Sequence, residues 1–220
     1  MPDEELESSQ PETGRISPQG HDEPYGRFFL IAISTAAFAG CVGVAFVGQV
    51  LTGVPAAGSL TQTDILTPAI WGAALLVTLP MFALLQFERR TRIVWLRELW
   101  QLSGDLLGPI VVRVTFAELV VVSLFAGVGE ELLFRGFLQN WLGGHGLLVA
   151  LVVPNVLFGL LHWISPGYAA CTFCVGLYFS CLLHFAEPVS LATLMIAHSL
   201  YDLVALLCLV REVRRRTVAS

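Results

Sequence analysis

Ala126-Gly127-Val128-Gly129-Glu130-Glu131-Leu132-Leu133-Phe134-Arg135-Gly136 closes an apolar run that starts at Leu106. Leu106–Val128 is long and apolar enough to cross a bilayer, so two adjacent carboxylates and an arginine stand where hydrocarbon makes charge expensive. In a helix, Glu131 and Arg135 are four residues apart, share a face and pair. Glu130 points about 100° away from that pair and is left for other work. The stretch sets two expectations: a helical membrane protein, and a division of labour between neighbouring glutamates.

Outward from this stretch the composition agrees. The chain of 220 residues is 55% hydrophobic and 13% charged, with a mean hydropathy of +0.74, which excludes an ordinary soluble domain. The expected fold class is all-α, a multi-pass transmembrane helix bundle of about six spans plus an amphipathic interfacial helix. The net charge of −5 says little about partners, because most of the acid lies in the first residues.

Met1–Arg27 is rich in Glu, Pro, Ser and Gly and cannot bury enough surface to offset its chain entropy, so it reads as a disordered tail. Phe28–Asp105 holds two spans, Phe28–Leu51 and Ile65–Phe87, then Glu88–Asp105, where arginines interleave with Trp95 and Trp100 as in a helix lying on the membrane surface. Leu106–Val210 holds four more: Leu106–Val128, Leu147–Ile164, Tyr168–Phe185 and Val189–Val210. A basic C-terminal tail, residues 211–220, follows. The arginine clusters place both termini on the cytoplasmic side by the positive-inside rule. The compact form and acidic tail point to a bacterial inner membrane. Five cysteines lie in apolar segments, and Cys171-Thr172-Phe173-Cys174 reads as packing despite its metal-site spacing.

Ionisable groups inside the spans are the informative ones. Arg113 and His184 lie near span ends and reach the interface. Glu118, expected near mid-span, is open between a packing carboxyl, an interhelical hydrogen bond and a substrate contact. Phe158 and His162 are one helical turn apart, as are His198 and Asp202, so each pair shares a face. With Glu130 and Glu131 they make three polar foci on three spans joined by short links.

Hydrolysis of an amide needs a base for water, donors for the tetrahedral oxyanion, and exclusion of solvent. Glu130 with His162 suits the first role. His198 and Asp202 suit the second, with Asp202 a direct donor only if protonated and otherwise a partner that fixes the His198 tautomer. No serine or cysteine nucleophile with a nearby base is evident, so attack by water is the simpler route.

Glu130-Glu131-x-x-x-Arg135, Phe158-x-x-x-His162 and His198-x-x-x-Asp202 resemble, in order and spacing, the three motifs of the CPBP (CAAX protease and bacteriocin-processing, Abi) intramembrane endopeptidases, over Ala117–Leu209. The resemblance implies that Glu130 is the general base, Glu131 with Arg135 a supporting ion pair, His162 the second water ligand, and His198 with Asp202 the oxyanion pair. It also implies a protein or peptide substrate, membrane lipid around it, and no nucleic acid. The last motif position is often Asn in this family, and Asp202 lacks that obligate donor. No cofactor is expected. Zinc, the family's alternative, would use Glu130, His162 and His198, but no His-Glu-x-x-His pair is present. The rival readings are a catalytically inactive membrane scaffold that binds peptides or partner helices, and a proton pathway.

Overall fold

The computed structural model describes residues 25–57, 60, 67–111 and 113–219. Of the expected disordered tail, residues 1–24 lie outside the described residues. Every regular element described is helical: α1 (Tyr25–Thr52), α2 (Pro68–Arg90), α3 (Val94–Val111), α4 (Phe116–Glu131), a π-helical stretch (Leu132–Leu138), α5 (Gln139–Gly143), α6 (Leu147–Leu161), α7 (Pro166–Phe185) and α8 (Leu191–Ala219). The chain is an integral membrane protein. Phe28–Thr52, Pro68–Arg90, Pro166–Phe185 and Leu191–Arg216 are long and apolar enough to cross a membrane, and α6 is a shorter apolar helix. Only 6% of the α1 span window is buried, and Phe28, Phe46, Val50 and Leu51 stand exposed on it. Lipid, not water, suits such a surface.

Local sequence explains the helix ends. Pro68 occupies the first turn of α2, where its missing N–H costs nothing. Arg89 and Arg90 lie in the last turn, at the negative end of the dipole. Ser165 caps α7 by accepting from the Tyr168 N–H at 3.2 Å, with Pro166 next in line.

The expected third span, Leu106–Val128, is not one helix. Its first residues finish α3, which carries Pro109 near its end, and a new helix starts at Phe116. The cause is a capping box. The Thr115 hydroxyl accepts from the Glu118 N–H at 3.3 Å, while Glu118 Oε2 accepts from the Thr115 N–H at 2.7 Å. Glu118 is therefore a helix-start carboxylate and not a mid-span group. The expected interfacial segment is divided as well: Glu88–Arg90 end α2, and the amphipathic part begins with α3, which buries Leu96 and Leu99 and exposes Trp95. Among the described residues the bundle is made of four long apolar helices, one short one, and the composite rod from α4 through the π-helical stretch to α5.

Within the bundle α4 lies along α8, α1 covers α4, α2 and α3 flank α8, and the α6–α7 hairpin closes over the π-helical stretch. Gly127 permits the central approach: a Cβ there would collide with the Ser199 hydroxyl and stand 2.7 Å from the Ser199 amide nitrogen. The α4–α8 pair thus sits backbone against backbone at the level of the polar residues. Three apolar clusters surround them. Val77, Met81, Phe179 and Leu194 form one, Val111, Leu119 and Leu209 another, and Leu133, Phe134, Phe137 and Phe158 the third.

Candidate active site

The fold brings together all six polar residues singled out in the sequence. Glu130 and Glu131 end α4, Arg135 lies in the π-helical stretch, His162 caps the C-terminus of α6, and His198 and Asp202 lie one turn apart on α8. His162 is a helix-end residue and not an interior one. Its ring sits beside Phe158, with centroids 4.5 Å apart.

Glu131 and Arg135 are buried, at 0% and 1% exposure, and pair at 3.1 Å between Glu131 Oε1 and Arg135 Nη1. Burial of an ion pair is tolerable only when further hydrogen bonds satisfy it. Here the other end of the guanidinium, Nη2, donates to Asn155 Oδ1 at 3.0 Å. Asn155 Nδ2 in turn donates to Ser180 Oγ at 2.8 Å and to Leu151 O at 2.6 Å. Phe158 and Phe179 hold the guanidinium between them, with ring centroids 4.8 and 5.8 Å from its central carbon. Gly176 leaves the room: a Cβ there would stand 2.5 Å from Asn155 Oδ1 and 2.8 Å from Arg135 Nη2.

The same Glu131 oxygen accepts from His198 Nδ1 at 2.8 Å. A carboxylate paired with arginine only accepts, so Nδ1 carries the proton and Nε2 faces the reactive side. There it lies 3.8 Å from Glu130 Oε2 and 3.6 Å from Asp202 Oδ2. His162 is tied in the same sense. Its Nδ1 lies 2.8 Å from Phe158 O, which only accepts, and its Nε2 is 3.8 Å from Glu130 Oε2. Glu130 Oε2 has no hydrogen-bond partner among the described residues.

The 3.8 Å separations exceed a direct hydrogen bond and suit a group bridging Glu130 to the imidazoles. Zinc ligands in a tetrahedron stand roughly 3.4 Å apart, given bonds of about 2.0–2.2 Å. The measured spacings are wider, and among the described residues no three His, Cys, Asp or Glu side chains converge in metal-holding geometry. The cluster opens on a cavity of about 350 Å³ whose walls include Leu85, Phe158, Val175 and Phe179, an apolar enclosure that strengthens electrostatic interactions within it.

Sequence reasoning missed Asn155 and Ser180. A census of all polar side chains in the spans, not only the ionisable ones, flags Asn155 beside Pro154; nothing local flags Ser180. Residues 113–204, from the turn before α4 into α8, match the family described as type II CAAX prenyl endopeptidase Rce1-like. No curated protein and no solved structure matches the chain.

Proposed function

We propose that the chain, whose residues 113–204 match the family described as type II CAAX prenyl endopeptidase Rce1-like, is an endopeptidase that cleaves a membrane-associated protein or peptide with a water activated by Glu130. One observation carries the reading. Glu130 Oε2, without a partner among the described residues, faces the Nε2 atoms of His162 and His198 at 3.8 Å each, beside an apolar cavity.

The hydrogen bonds of the two imidazoles support the following steps. In its neutral form, with Nδ1 donating to Phe158 O, His162 offers Nε2 to one hydrogen of the water, and Glu130 accepts the other. The water's lone pair is then free to point at a carbonyl carbon. Glu130 removes a proton as the C–O bond forms. The oxyanion needs a donor. His198 supplies it through Nε2–H in its doubly protonated form, with Glu131 holding Nδ1–H and Asp202 3.6 Å away to hold or exchange the second proton. Collapse of the intermediate breaks the C–N bond, and Glu130 returns its proton to the leaving amine.

The test is cleavage of membrane-associated peptides by the full chain in proteoliposomes, with products identified by mass spectrometry. Glu130→Gln should lower turnover by about 10²–10⁴-fold, the usual contribution of a general base. Undiminished cleavage in that variant would overturn the proposal. Zinc analysis of the active protein separates the mechanisms: activity lost on chelation and restored by zinc would move Glu130, His162 and His198 to metal ligands.

A further inference from the structure

The cavity does not end at the reactive cluster. It continues between α2, α3, α7 and α8, and beyond the cluster its described lining holds one more charged side chain, Glu88. Glu88 lies in the last turn of α2, at the negative end of the helix dipole, where a carboxylate is disfavoured. Leu84, Leu85 and Leu99 wall the same cavity and limit its hydration. Among the described residues nothing offsets these costs. The neighbouring Arg89 turns away, with Nη1 3.4 Å from Cys208 Sγ and its guanidinium over Trp100 at 5.2 Å. Among the described residues no hydrogen bond or ion pair engages the Glu88 carboxylate.

Tyr168 and Tyr201 line the same cavity. One cavity therefore holds the reactive groups and a carboxylate without a partner among the described residues, within aromatic and aliphatic walls. We propose that Glu88 is the anionic end of a substrate subsite that takes a basic side chain, lysine or arginine, of the peptide whose scissile bond lies at Glu130. Apolar walls accommodate the methylene stem of such a residue, the tyrosine rings suit its cationic head, and the head meets the one carboxylate outside the cluster. This inference rests on the proteolytic reading, and its test is built to fail separately from it.

Binding is measured on full-length Glu130→Gln protein, so that no turnover is needed. The probes are fluorescent leucine–alanine peptides carrying lysine at each position in turn, with matching sets carrying norleucine or glutamate. At one position lysine should bind about tenfold more tightly than norleucine, the scale of one charge-assisted hydrogen bond. Adding Glu88→Gln should reduce that ratio to about twofold or less, with the norleucine peptide unaffected. Adding Glu88→Lys should transfer the preference to glutamate at the same position. Equal binding of lysine and norleucine at every position overturns the subsite, as does a lysine preference that survives both substitutions. Cleavage by the wild-type chain is scored separately, so inactivity there counts against the protease and not against the subsite.

Discussion

Glu130 and Glu131 are neighbours in sequence and opposites in circumstance. Glu131 is fully buried, and one of its oxygens accepts from both Arg135 and His198. Glu130 is 21% exposed, and its nearest nitrogens stand at 3.8 Å. The frame runs from Ser180 through Asn155, Arg135 and Glu131 to His198 by direct hydrogen bonds of 3.1 Å or less. The reactive group is held near that frame without being consumed by it. A carboxylate engaged by two donors is a poor base, and one left without them is costly to fold. Placing the two side by side on one helix end lets a single turn meet both needs.

That contrast can be broken by substitution. The largest effect expected is on turnover: Glu130→Ala should lower it by about 10²–10⁴-fold while thermal unfolding, followed by circular dichroism in micelles, stays close to wild type. Arg135→Ala should do the reverse in kind, costing about 3–5 kcal/mol of stability because it strands a buried carboxylate. Replacing both partners, Glu131→Gln with Arg135→Met, should recover much of that stability, since a buried pair is often worth no more than apolar groups of its shape. Turnover should stay low in the double variant, because His198 loses the acceptor that fixes its ring. Asn155→Leu, which removes one link, should cost about 1–3 kcal/mol in the same unfolding assay. Smallest of all, Thr115→Ala should cost about 1 kcal/mol through the lost cap of α4.

The all-helical membrane fold was readable because hydropathy reports burial in lipid directly, and the polar cluster because carboxylates and histidines are conspicuous in apolar helices. The helix break inside Leu106–Val128 was legible too, but in a different signal. Thr115-Phe116-Ala117-Glu118 carries the capping-box spacing, and an average over hydropathy conceals it. Pairing of Glu131 with Arg135 follows from local spacing. Contact of Glu131 with His198, 67 residues away, does not, because it depends on how closely α4 and α8 approach. Ser180 shows the limit: a lone serine in an apolar helix has no periodicity to announce it, and only the packing of α7 against α6 delivers it to Asn155.

The π-helical stretch Leu132–Leu138 follows directly after the two glutamates. Its wider winding shifts the angular phase of the helix, so the side chains below it do not continue the stripe set above it. Above, Gly127 meets α8. Within the stretch Phe134 packs edge-on against Phe158 of α6, and below it Gln139 Nε2 donates to Ser180 O of α7 at 3.2 Å. The stretch thus works as a gear between two meshing surfaces, and its tooth count matters. Removing one residue from it would let it wind as an ordinary α-helix and change how the two surfaces are phased against each other, while leaving the apolar content of the rod almost unchanged.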